Sequence, residues 1–194
     1  MIEAILEADQ QIFLWLNSFH ANWLDPIMYR ITNKYTWFPV YAALVVAIIL
    51  KYRWEGVRSV LVLVLVITAC DQLTSGFMKP TFERLRPCHN PTIAHFVHLV
   101  KGCGGQYGFA SSHAANTFGL AATLWFFFQS WSFWFALGFG WAAVVSYSRV
   151  YVGVHYPLDI IVGAIIGVVL AWMIYKLYQQ YRVRLVAALP YRYQ

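Results

Sequence analysis

The stretch Ser148–Asp159, SRVYVGVHYPLD, sets an arginine, a histidine and an aspartate between two apolar segments. An ionisable side chain against lipid costs about 2.5–3.5 kcal/mol on insertion scales, so such groups serve a function or find partners. Asp159 follows His155 by four residues, about one helical turn. Its carboxylate can hold one imidazole nitrogen and leave the other facing a reactant. Arg149 brings a planar cation suited to an anion. Pro157 fits the first turn of a helix, where its missing N–H has no partner to lose.

Two further polar clusters border apolar segments. KPTFERLRP runs from Lys79 to Pro87, and Ala110-Ser111-Ser112-His113 opens another apolar run. Simple up-and-down topology gathers all three clusters on one membrane face. The set then holds Lys79, Arg86 and Arg149 as cations and His113 and His155 as imidazoles. Ser111 and Ser112 stand where a helix N-terminus offers free N–H groups to an anion. This is the equipment of phosphoryl transfer without a metal, the cations neutralising the phosphoryl oxygens. Asp159 marks His155 as the nucleophile, and His113 is left to protonate the leaving oxygen. His89, His95 and His98 share a loop without metal-site spacing and read as loop surface, so no metal or other cofactor is expected. Glu83 and Arg84 read as a solvated pair, and Asp71 as a group bonded within the bundle.

The elements that must position these residues follow from composition. The chain has 194 residues, 60% hydrophobic and only 11% charged, against about 25% charged in soluble domains. It reads as an all-α polytopic membrane bundle in a single domain. Residues 1–34 form one or two interfacial amphipathic helices, the second near 22–33 with Asp25-Pro26 as its cap and first turn. Residues 35–180 form about five transmembrane helices, at 36–50, 57–78, 112–128, 133–147 and 157–178. Residues 79–108 make a polar loop, and 129–132 a tight turn. The net charge of +6 does not point to nucleic acid, because most cations flank apolar segments. Lys51, Arg53, Arg58, Lys176, Arg182, Arg184 and Arg192 fall on the side opposite the polar loop. The positive-inside rule makes that side, with the C-terminus, cytoplasmic and places the site outside. Cys88 and Cys103 share the outer loop, where they form either a disulfide or two free thiols; an oxidising compartment favours the bridge.

Lys79 with Arg86-Pro87 matches K-x6-R-P, Ser148-Arg149 with His155 and Asp159 matches S-R-x5-H-x3-D, and Ala110–His113 is similar to P-S-G-H. In this order the set resembles the type-2 phosphatidic acid phosphatases, a family of membrane lipid phosphatases. The resemblance implies a helical core shared with vanadium haloperoxidases and phosphate binding by Lys79, Arg86, Ser111 and Arg149. It also implies His155 as nucleophile and His113 as acid. The middle motif departs from the pattern, with Ala110 for proline and Ser112 for glycine; Ser112 keeps its backbone N–H for an anion. The implied substrate is a membrane lipid phosphate, with lipid A or undecaprenyl diphosphate ahead of phosphatidylglycerophosphate and phosphatidic acid. The compact size resembles the small bacterial members, which implies the bacterial inner membrane with the site facing the periplasm. A lipid phosphotransferase would use the same residues. A non-catalytic lipid-phosphate binder or transporter is disfavoured, because the key charges gather at one face instead of lining a path.

Overall fold

The computed structural model describes residues 1–129 and 133–188, with side chains as far as Val183. The chain is all-α: α1 (Ile2–Ser18), α2 (Asp25–Thr32), α3 (Lys34–Asp71), α4 (Lys79–Phe82), α5 (Ser112–Phe128), α6 (Leu137–Tyr151) and α7 (Pro157–Ala188). Two stretches, Lys34–Phe82 and Pro157–Val183, are long and apolar enough to cross a membrane. Part of the expected turn at 129–132, and Arg192 of the basic tail, lie outside the described residues, as does the Arg184 side chain.

The first two expected spans form one hydrogen-bonded helix interrupted at Arg53, whose φ of 53° and ψ of −125° break the helical path. A Cβ on Gly56 would stand 2.5 Å from the Ile48 carbonyl oxygen. Eight residues of straight helix span about 12 Å, so the two arms of α3 fold back on each other at this bend. Gly56 permits the approach because it carries no side chain. At its far end α3 passes into a π-helical segment, Gln72–Met78, before α4.

The centre of the molecule is α5 against α7, which meet through small residues. Ala114, Ala115, Gly119, Ala121 and Ala122 are buried on α5. Gly163 and Gly167 face them from α7; a Cβ on Gly163 would lie 2.5 Å from the Ser111 carbonyl oxygen, and one on Gly167 would run into that of Ala115. Such close backbone approach is how helices associate where lipid removes the hydrophobic drive. Val62, Val66 and Cys70 of the second α3 arm and Ala171 of α7 complete this core.

Helix α6 runs four residues beyond the expected end at Tyr147. Ser148 returns its hydroxyl to the Val145 carbonyl at 2.6 Å, which lets a polar residue continue the helix. Ser148 and Arg149 are therefore helical, and the connection to α7 is only Val152–Tyr156. Gly153, at φ +83°, takes the left-handed turn that ends α6. The cap of α2 also differs from expectation. Leu24 occupies the N-cap, and Asp25 instead accepts hydrogen bonds from Tyr151 Oη at 2.7 Å and His98 Nε2 at 3.0 Å.

Helix α1 buries Asp9, Phe13 and Asn17, spaced four apart on one stripe. They meet the end of α6, the α6–α7 connection and the first turn of α7. Asn17 donates to the Val150 and Tyr151 carbonyls at 3.1 and 2.9 Å, capping α6, and accepts from His98 N at 2.7 Å. Phe13 meets Tyr156 edge to face at 5.4 Å. Ile5, Leu6, Ile12, Trp15 and Phe19 remain exposed.

Candidate active site

The site is assembled by short local devices at the ends of long helices. Segments 84–86 and 106–108 pair as an isolated antiparallel bridge: Arg86 N donates to Gln106 O at 3.1 Å and Gly108 N to Arg84 O at 2.8 Å. Alternation along an extended segment turns Arg84 and Arg86 the same way, toward α7. Just beyond the bridge, Cys88 and Cys103 are joined by a disulfide that closes the outer loop.

His155 is 1% exposed, and its Nδ1 lies 3.2 Å from Asp159 Oδ2. Asp159, fully buried, also accepts from Tyr156 N at 3.1 Å and from Arg84 Nη1 at 2.7 Å. Burial, with Arg149, Arg86, Lys79 and Arg84 around it, pushes the His155 pKa well below its ordinary value, so the ring is neutral. A neutral imidazole whose Nδ1 faces a carboxylate keeps a lone pair on Nε2.

Lys79, Arg86, Ser112, His113, Arg149 and His155 all border one cavity of about 670 Å³. Its polar end holds these residues; its walls are Trp37, Phe38, Tyr41, Leu44 and Val45 from one α3 arm and Leu63, Val64 and Ile67 from the other. The size suits a small-molecule headgroup or part of a chain. Lys79 Nζ donates to Ser112 Oγ at 3.0 Å and Ser75 Oγ at 3.3 Å. Thr74 Oγ1, from the π-helical segment, stands 2.8 Å from the same Ser112 oxygen. Arg149 Nη1 donates to Thr32 Oγ1 at 2.6 Å, while its Nε is buried with no partner among the described residues. Asp71 also borders the cavity and accepts from Ser75 at 3.3 Å, within the bundle. Ser111 does not border the cavity. Its N–H goes to the Asp159 carbonyl at 3.0 Å, and its hydroxyl accepts from Ala114 N at 3.5 Å as the α5 cap. Its contribution is to cap α5, so that the helix opens with the N–H groups of Ser112 and His113 beside the cavity.

The PAP2 superfamily model matches residues 60–182, which contain all three motifs. The chain belongs to the PAP2 superfamily. It is similar to the lipid A 4′-phosphatase of Bacteroides thetaiotaomicron, 38% identical over 98% of this chain and 85% of that protein. The lipid A 4′-phosphatase of Porphyromonas gingivalis is 37% identical over 96% of this chain and 80% of its own length. Among solved structures, Aquifex aeolicus LpxE superposes with a TM-score of 0.68 at 26% identity, covering 86% of this chain and 93% of that one. This PAP2 chain is thus a membrane lipid phosphatase, a phosphoric ester hydrolase.

The site of the PAP2 chain contains residues that sequence reading placed elsewhere. Arg84, read as half of a solvated pair with Glu83, is only 18% exposed in its side chain and bridges Asp159 to Asp9 Oδ2 at 2.6 Å. Asp9, on a segment read only as an interfacial amphipathic helix, is 6% exposed. His98, read as loop surface, is half-buried, bonded to Asp25 and stacked on His20 at 3.7 Å. Thr32 and Gly108 carried no signal, being uncharged and far in sequence from the groups they touch, and Ser75 carried none as an uncharged residue inside an apolar run. Among the described residues, no three His, Cys, Asp or Glu are grouped to hold a metal.

Proposed function

We propose that this PAP2 chain hydrolyses the 4′-phosphate of lipid A through a phosphohistidine. The observation that carries the mechanism is the buried, carboxylate-oriented His155 at the edge of a cavity that also holds Lys79, Arg86 and Arg149. The similarity to lipid A 4′-phosphatases supports the substrate. His155 Nε2 attacks phosphorus as the bond to the lipid oxygen breaks. His113 delivers a proton to that oxygen. Water then attacks the phosphohistidine, giving a proton to His113 and the phosphoryl group to bulk as phosphate, and His155 is regenerated. Lys79, Arg86, Arg149 and the N–H groups opening α5 meet the three phosphoryl oxygens. Arg149 Nε, buried and without a partner among the described residues, keeps a donor for a phosphoryl oxygen. The apolar walls between the arms of α3 take the adjoining hydrocarbon.

The same reading makes the two α3 arms, α5, α6 and α7 transmembrane, with α1 and α2 at the interface. The disulfide favours an outward, oxidising side for the loop and site, which in a bacterial inner membrane is the periplasm. Undecaprenyl diphosphate is the runner-up substrate.

The test is phosphate release by purified protein from lipid A, polyprenyl diphosphate, phosphatidylglycerophosphate and phosphatidic acid, in EDTA. Lipid A should be turned over, His155→Ala should abolish release, and Lys79→Ala should raise KM. A fully active His155→Ala enzyme would remove the nucleophile from the scheme. Loss in EDTA reversed by a divalent metal would contradict the metal-independent step.

A further inference from the structure

We propose that Asp9, on the N-terminal helix, is a positioning residue for the reaction: by holding Arg84 it fixes the Asp159 carboxylate on which His155 rests. The inference depends on His155 being the nucleophile. Arg84 lies between two buried carboxylates, giving Nη2 to Asp9 at 2.6 Å and Nη1 to Asp159 at 2.7 Å. Its guanidinium also stacks over the Tyr156 ring at 4.2 Å. Asp9 does not depend on Arg84 alone, because its Oδ1 accepts from Leu158 N at 2.9 Å. It therefore grips both the arginine and the first turn of the helix that carries Asp159.

Charge explains why a second carboxylate is required. An arginine 2.7 Å from Asp159 with no other partner would draw the carboxylate away from the imidazole and cancel its charge. With Asp9 present, the three groups carry a net charge of −1, which remains available to His155 as its ring gains positive character during attack. Planarity matters as well. The guanidinium fork spans two carboxylates in one plane, so a fixed Asp9 dictates where Asp159 sits. The groups facing His155 are Arg149 of α6, Arg86 and Arg84 of the loop, Lys79 after the π-helical segment, His113 of α5 and Asp159 of α7. Four of these are cations, so an Arg84 left unbalanced adds to an existing excess.

The experiment compares Asp9→Asn with wild type on lipid A, alongside His155→Ala. Asp9→Asn should lower kcat about tenfold, the scale of one charge-assisted hydrogen bond, with KM within about twofold. The acidic limb of its kcat/KM profile should move to lower pH, since an unbalanced cation disfavours the protonated imidazole. In an Arg84→Met background, Asp9→Asn should have no further effect on kcat. Unchanged kcat and profile in Asp9→Asn, or effects of the two substitutions that multiply, would overturn the proposal. If Asp9→Asn does not fold, Asp9→Leu/Arg84→Met, which leaves no unbalanced arginine beside Asp159, takes its place. It should lower kcat through the unfixed Asp159 carboxylate while the acidic limb stays in place, since the cation has gone too, and full activity in it overturns the proposal equally. An active His155→Ala instead overturns the catalytic scheme, so the two failures are distinct.

Discussion

Gly108 lies against the His155–Asp159 pair, where a Cβ would stand 3.0 Å from Asp159 Oδ2 and 3.5 Å from His155 Nδ1. Gly108→Ala should push the carboxylate off the imidazole and lower kcat by about one to two orders of magnitude, the penalty of misplacing a reacting group by about 1 Å. Thermal stability should change little, which a melting curve beside the kinetics checks. Ser112 acts on the other partner of the reaction. Its hydroxyl holds Lys79, so Ser112→Ala should free the lysine and raise KM several-fold with less effect on kcat. The glycine that the family pattern has here could not make this contact. The histidines, Lys79, Arg86 and Arg149 were legible in the sequence because each is an ionisable group at the end of an apolar run. Arg84 and Asp9 were not, because each has an ordinary surface reading and they lie 75 residues apart. Only folding shows that both are enclosed.

At the scale of elements, the α5–α7 seam decides whether the site exists. Ser111 N donates to the Asp159 carbonyl across this seam, so the phosphate end of α5 and the carboxylate end of α7 are set by one contact. Gly167 sits two turns down α7, against the Ala115 backbone. Gly167→Val should overpack the seam and cost about 1–3 kcal/mol of stability, or more if the backbones cannot part, read as a lowered melting temperature in detergent. Hydropathy located α5 and the start of α7 because composition changes sharply there. It ended α6 at Tyr147 because Ser148 and Arg149 are polar. The helix continues because a back-bonded hydroxyl and a Thr32 partner satisfy those groups, and neither is visible in composition. The bend at Arg53 was legible as a basic break between apolar runs, whereas the π-helical segment that turns Thr74 and Ser75 toward Ser112 left no periodic trace.

At the scale of the molecule, the outer loop is fixed from two directions. The Cys88–Cys103 disulfide closes it, and Asn17, Asn90 and Tyr156 tie it to α1 and to the α6–α7 connection. The bridge closes a loop of fifteen residues, for which chain entropy gives about 3 kcal/mol. Cys88→Ser/Cys103→Ser should lower the melting temperature by a comparable free energy. It should also weaken the hold on Arg84 and Arg86, so that activity falls before the helical signal does; circular dichroism and turnover on the same heated sample report both. The overall architecture followed from three motifs and the alternation of apolar runs. The docking of α1 did not, since an amphipathic helix has the same pattern whether its polar stripe meets water or protein.

The region matched by the family begins at residue 60, yet Thr32 holds Arg149 and Asp9 holds Arg84 from upstream of it. The three motifs lie within the matched region, and two of the groups that hold the site together lie before it. A chimera carrying a distant relative's first 59 residues on this protein's remaining chain would keep all three motifs, yet its turnover should fall wherever Thr32 and Asp9 have no counterpart.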